Sequence, residues 1–148
     1  MRQEKLRPVF VEFVPRELED GILYISHKYA TAIHKCASGC GEQVVTPLNP
    51  AAWKLTIDGD AVTLYPSIGN WNYECRSHYW VRRNRIVWAP ALSNAEIERV
   101  QRRDRADSEK YIERLNEGLD ATKFRKPESF WRRSLKHALN IVARLFKE

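Results

Sequence analysis

The sequence predicts an α+β protein: a small antiparallel β domain with zinc-ribbon-like hairpins, followed by two C-terminal α-helices. Three observations support this. Short β-prone runs bounded by Pro, Gly and Asn fill the first ninety residues. All three cysteines fall in that region, in two short clusters that each include a turn-forming or histidine residue. Beyond Pro90 the composition changes to charged segments with helical spacing. The expected division is residues 1–92, a zinc-stabilised β domain carrying the active site, and residues 93–148, a charged and amphipathic helical extension.

Each element follows from local chemistry. "PVFVEFVP" and "GILYIS" read as strands, and "YATAIHKC" as a continuation of the second. In "WKLTIDGDAVTLY" the Asp58-Gly59 pair lies between two alternating runs, and Asp-Gly adopts the positive φ angles of a tight hairpin. "HYWVRRNRIVWAP" predicts a second hairpin turning at Arg83-Asn84, with aromatic residues facing across the strands. Pro90 closes the sheet region. Ser93 and Glu96 then form a capping box, which marks a helix start. Ile97, Val100, Tyr111, Ile112 and Leu115 give an interrupted apolar stripe, so the middle of that helix is a solvated face, and Gly118 is expected to end it. Farther on, Trp131, Leu135, Ala138, Val142 and Leu145 recur at spacings of three and four, with Arg132, Arg133, Lys136, Arg144 and Lys147 mostly elsewhere on the wheel. Such a basic amphipathic helix packs on the sheet or a partner subunit, or else meets a membrane surface or partner protein.

Composition narrows the function classes. A chain of 148 residues with 43% hydrophobic content and five tryptophans can bury one real core. No run approaches the ~20 apolar residues of a membrane span, and the start lacks a signal-peptide core, so a cytoplasmic location is expected. An odd number of cysteines, three, in a reducing compartment argues for metal binding or catalysis over a disulfide. The net charge of +6, mostly in the C-terminal third, leaves nucleic-acid contact open.

The clusters suggest one metal centre. Cys36 and Cys40 form a C-x3-C step followed by Gly41; Cys75 and His78 form a C-x2-H pair. Tetrahedral Zn2+ takes four N or S ligands, and Cys36, Cys40, Cys75 and His78 complete one set. His34 is a rival fourth ligand, because His-x-Cys puts both side chains on one strand face. A site closed by four protein ligands is structural zinc, so chemistry must come from elsewhere. Ser67 in "YPSIGNW", Ser38 between the first two cysteines and Ser77 beside His78 are the hydroxyls to consider; each can equally be an ordinary turn or cap residue. With His78 on zinc, His34 is the best remaining base for Ser67 or Ser38, with His27 in reserve and His137 in the tail. The Pro/Gly-framed turn at Ser67 can expose backbone N–H groups near its hydroxyl.

"YATAIHKCASGCGEQVVTPLNPAAWKLTIDGD", "PSIGNW" and "CRSHYWVRRNRIVWA" together resemble a bacterial domain family encoded in ubiquitin-like conjugation operons of the Bub type, over residues from about 8 to 90. The resemblance implies a peptidase with serine chemistry that matures or removes a ubiquitin-like protein in an antiviral pathway. Under that serine chemistry the amides around Ile68-Gly69-Asn70 would be the oxyanion hole. Its implied partners are that protein and its conjugation enzymes. In the family's pattern position 38 is often a third cysteine of a C-x-C-G-C-G run. Here it is Ser38, which fits either a dispensable ligand position or a nucleophile that is Ser or Cys. The competing function is a non-catalytic zinc-ribbon module that docks a conjugation enzyme through exposed tryptophans (Trp53, Trp71, Trp80 and Trp88). A nucleic-acid-binding ribbon using Arg76, Arg82, Arg83 and Arg85 ranks below it.

Overall fold

Eight strands arise from the β-prone runs, in two sheets of four. The computed structural model describes residues 1–123. The first sheet orders β1 (Arg7–Phe10), β2 (Ile22–Ser26), β3 (Thr31–Lys35) and β4 (Gln43–Pro47) side by side; the second orders β5 (Lys54–Asp58), β6 (Ala61–Gly69), β7 (His78–Arg82) and β8 (Arg85–Trp88) likewise. Every pairing is antiparallel except β1 with β2, which is parallel. A turn at His27–Ala30 makes β3 a separate strand that folds back on β2, where the sequence suggested one continued run.

β2 is the middle of the first sheet's packing, with all five residues buried. Leu23 and Ile25 enter the main core with Leu6, Ala32 and Val44, opposite Val62, Leu64, Ile68, Tyr79, Val81 and Ile86 of the second sheet. Ile22 and Tyr24 face the other way and are covered by Leu18, Val11 and Val14 from the segment that returns from β1. Burial on both faces explains why this strand reads as an unbroken apolar run instead of an alternating one.

Both predicted hairpins form. Gly59, at φ +58°, opens the two-residue turn Gly59-Asp60 between β5 and β6. Arg83 and Asn84, at φ +46° and +68°, make the doubly positive turn that matches strand twist. Asn84 also joins the hairpins: its Oδ1 accepts from the Val62 amide at 2.8 Å and its Nδ2 donates to the Asp60 carbonyl at 2.9 Å. The N-terminal segment runs beside β8, with the Ile86 amide donating to Glu4 O at 2.9 Å and the Leu6 amide to Asn84 O at 2.8 Å, before β1 crosses to the first sheet.

Residues Met1–Glu109 make one compact unit, and the described residues from Lys110 onward belong to a second. The capping box is present: the Ser93 amide and hydroxyl donate to the Glu96 carboxylate at 2.8 and 2.7 Å, holding that carboxyl below its ordinary range. It starts α1 (Asn94–Lys123), whose Ile97 is buried in the first unit. The helix does not stop at Gly118. A glycine in a helix interior costs only about 1 kcal/mol relative to alanine, and Gly118 has no neighbour crowding it. In the second unit Ile112 and Leu115 are exposed. The second predicted helix, with Trp131 to Leu145, lies outside the described residues. Among the described residues no helix is long and apolar enough to cross a membrane.

The Asn84 turn gives a stability test. Asn84→Gly keeps the backbone conformation but strands the amide of buried Val62, an expected loss of about 1–2 kcal/mol; Asn84→Ala adds roughly 1 kcal/mol of left-handed strain. Equal denaturation midpoints for the two variants would show that φ plays no part.

Candidate active site and cysteine cluster

The chain leaves β3 through Cys36 and turns tightly, the Gly39 amide donating to Cys36 O at 3.0 Å. Gly39 and Gly41 hold φ +81° and +89°, angles few other residues adopt, and this returns Cys40 towards Cys36. Cys75 arrives on the loop between β6 and β7, which the Asn70 amide closes by donating to Ser77 O at 2.9 Å. The three Sγ atoms lie within 4.8 Å of one another, and Cys36 Sγ is 3.8 Å from Cys75 Sγ. Thiolates bound tetrahedrally at ~2.3 Å sit about 3.8 Å apart, so this donor set fits a zinc-sized soft cation.

Polar groups surround the sulfurs as they would a charged cluster. Ser38 Oγ and Ser77 Oγ each lie 3.2 Å from Cys36 Sγ, and Asn70 Nδ2 donates to the same sulfur at 3.5 Å. At Cys75, burial raises the thiol pKa, but hydrogen bonds from the Ser38 and Ser77 hydroxyls and the Ser77 amide outweigh it and bring it down to about 6. Burial, with its two neighbouring cysteines, raises that of Cys40. Ser38, one of the two expected nucleophiles, is therefore occupied as a thiol partner, and it also accepts from the Cys40 amide at 3.3 Å. Ser77 accepts from Asn70 Nδ2 at 2.9 Å.

Neither histidine of the expected ligand sets joins this cluster. His34 is fully buried on β3, with Nε2 bonded to Tyr79 Oη at 2.9 Å and Nδ1 without a partner. Burial lowers its pKa to about 4, so the ring is neutral at physiological pH. Its ring nitrogens meet no serine among the described residues, whereas the expectation made it the base for Ser67 or Ser38. Tyr79 is buried beside it, its own pKa raised by burial, and its hydroxyl also meets Asn70 Nδ2 at 3.5 Å.

His78 lies on the opposite face of β7, against Ser67. His78 Nε2 is 3.0 Å from Ser67 Oγ, and His78 Nδ1 is 3.1 Å from Pro90 O. A carbonyl oxygen can only accept, so Nδ1 carries the proton of the neutral ring and leaves Nε2 bare to accept from the hydroxyl. This is the arrangement by which imidazole activates a serine, with a backbone carbonyl orienting the ring. It differs from the expected placement of His78 on zinc, because strand alternation turns His78 away from the side that Ser77 and Tyr79 occupy.

Ser67 reaches this position through an irregularity in β6. Leu64 pairs with Val81 and Ile68 with Tyr79, so three β6 residues lie opposite the single residue Trp80. Such a bulge re-aims side chains, and here it brings Ser67 beside His78. Trp71 folds over the imidazole at a centroid distance of 4.9 Å, and Trp80 flanks it at 5.7 Å. Gly69 permits this: a Cβ there would lie 2.2 Å from the Trp71 ring. Of the amides expected to form an oxyanion hole, that of Asn70 is committed to Ser77 O. Trp71 as a wall of the site, Asn70 as a sulfur partner and the Pro90 carbonyl are not among the residues expected from the sequence. Only Trp71 had a visible signal, the Gly69-x-Trp71 step.

A family model described as "Bacterial ubiquitination-like system serine protease (BubE)" matches residues 10–89. The chain belongs to this family. Searches of curated proteins and of solved structures found no match.

Replacing Tyr79 by Phe removes the hydrogen-bond partner that the His34 ring has among the described residues and leaves a second buried ring nitrogen unpaired. The expected loss is about 1–3 kcal/mol in denaturant unfolding. An unchanged unfolding curve would show that the hydroxyl does not hold His34.

Proposed function

We propose that the protein is a serine-type peptidase acting on the C-terminal tail of a bacterial ubiquitin-like protein, with Ser67 as nucleophile and His78 as general base. The observation that carries this reading is the Ser67 Oγ–His78 Nε2 contact of 3.0 Å, with Nδ1 fixed on Pro90 O. Membership in a family of serine proteases from a ubiquitination-like system supports the reaction class and the partners, the ubiquitin-like protein and its conjugation enzymes. The antiviral setting and cytoplasmic location belong to the same proposal.

In this reading Ser67 Oγ bonds to the scissile carbonyl carbon while its proton passes to His78 Nε2. The tetrahedral adduct collapses, the bond to the leaving group breaks, and Nε2 returns the proton to that group. Water then repeats the sequence on the acyl-enzyme, restoring the Ser67 hydroxyl. Trp71 and Trp80 shield one side of the imidazole from solvent and limit its rotation. Cys36, Cys40 and Cys75 would hold zinc, which supplies a cross-link between the loop after β3 and the loop before β7. Its role is structural because Cys36 is buried in the core while Ser67 and His78 meet on the other side of the sheet.

The decisive assay uses the ubiquitin-like protein of the same system, fused to a C-terminal extension. Ser67→Ala and His78→Ala are each expected to slow cleavage at least about 10³-fold at unchanged melting temperature, while Ser38→Ala stays folded and active. Persistent cleavage by Ser67→Ala, or saturable binding without cleavage by the wild type, would overturn the reading. Metal analysis makes a separate prediction: about one zinc per chain, lost in Cys36→Ser and Cys75→Ser and kept in His78→Ala. Zinc loss in His78→Ala would restore the histidine as a ligand.

A further inference from the structure

The face of the second sheet that carries Ser67 and His78 also carries a row of cations. Arg82 lies opposite Arg85 across the β7–β8 hairpin, and Lys5 lies opposite Arg85 across the bridge to the N-terminal segment. Directly opposed residues of antiparallel segments share a face, so the three lie side by side, and all three are exposed. Among the described residues none of them pairs with a carboxylate. The ion pairs are made by Lys28, Lys35, Arg83, Arg102 and Arg103. The contrast with neighbouring Arg83, which pairs with Asp58, is direct. Like charges placed opposite one another destabilise a sheet, and an anionic group laid across them reverses that cost.

Alternation connects the row to the Ser67–His78 pair. His78, Trp80 and Arg82 share one face of β7, and Trp80 lies opposite Val87, which is 38% exposed. Arg82 stacks over Trp80 at 4.9 Å, so the apolar step and the cationic row are continuous. At ~3.3 Å per residue, Arg82 stands about 13 Å along the strand from His78, the reach of about four residues of extended peptide.

We infer that Lys5, Arg85 and Arg82 form a specificity surface for an acidic segment of the protein substrate. An extended chain with its scissile bond at Ser67 lays an apolar side chain over Trp80 and Val87. It then sets one or two carboxylates on the cations about four residues away. The row spans two strand spacings, about 10 Å, which suits a pair of carboxylates better than a continuous phosphate track. The placement relative to the cleaved bond rests on the reading of Ser67 as nucleophile; the preference for an acidic segment does not.

Binding is therefore measured on full-length Ser67→Ala protein, where turnover plays no part. The probes are two fluorescein-labelled decapeptides, each with one leucine, and with either two glutamates or two glutamines four residues from it. At low ionic strength the glutamate peptide is expected to bind about tenfold more tightly, and added salt should erase the difference. Introducing Arg82→Ala and Arg85→Ala together should remove the preference without lowering the melting temperature. Equal affinity for the two peptides, or a preference that survives in the double variant, would overturn the proposal. So would a ten-nucleotide oligothymidylate that binds as tightly as the glutamate peptide, since the row would then be a nucleic-acid contact. Hydrolysis of the ubiquitin-like fusion by the wild-type protein is scored separately. A protein that prefers the glutamate peptide but never cleaves the ubiquitin-like fusion would overturn the serine-peptidase reading alone.

Discussion

The alternation of side chains at the start of β7 is the constraint on which the rest of the molecule depends. Between Cys75 and Arg82 the chain serves two sites that must not mix. One side receives Ser77 and Tyr79 and looks into the core, where Cys36 and His34 wait. The other receives His78, Trp80 and Arg82 and looks outward at Ser67. A slip of one residue would exchange the two sets entirely, putting an imidazole among thiols and a tyrosine hydroxyl in water. The register is fixed from both sides: by Ile68 against Tyr79 and Leu64 against Val81 in β6, and by Tyr79 against Trp88 in β8.

Satisfying buried polar groups accounts for much of what remains. His34, Tyr79, Asn70, Ser77 and Cys36 form one chain of contacts that crosses from the first sheet to the second. Each group in it is costly to bury alone and acceptable together. The network ends on the cysteines, so the loop that carries Asn70 to Ser77 is tied to the cysteine cluster at one end. At the other it is tied to the strand that presents His78. The loop thereby becomes a mechanical link between the cysteine cluster and a surface hydroxyl–imidazole pair.

Much of this was legible in the sequence because local chemistry determined it. The hairpin around Asp58-Gly59, the Arg83-Asn84 turn and the Ser93–Glu96 box each announce themselves within a few residues; the last two form where expected, and the first turns one residue later, at Gly59-Asp60, because Asp58 still pairs with Ala61. The gathering of three cysteines followed from their number and spacing. The assignment of the two histidines was harder, because each lies near a cysteine in sequence and only tertiary pairing separates them. His34 is claimed by Tyr79, a residue forty-five positions away. His78 is claimed by Ser67, which needs a β-bulge that no short pattern specifies. The alternation of "SHYW" did hold the clue, since it puts His78 on the face of Trp80 instead of that of Ser77. Gly118 misled for the opposite reason: a helix breaker in isolation is a small tax on a long exposed helix.

The bond from His78 to Pro90 O has a consequence for how such a site can be dissected. Where a carboxylate steers a catalytic imidazole, a single substitution deletes it and exposes its share of the rate. Here the steering group is a peptide carbonyl, set in place by the Ala89 amide donating to His78 O at 2.9 Å. No side-chain replacement at Pro90 removes it. A scan that changes one residue at a time would reach the Ser67 hydroxyl and the His78 ring but leave this contact in place, because it is written into the backbone and open to change only through the path of the chain.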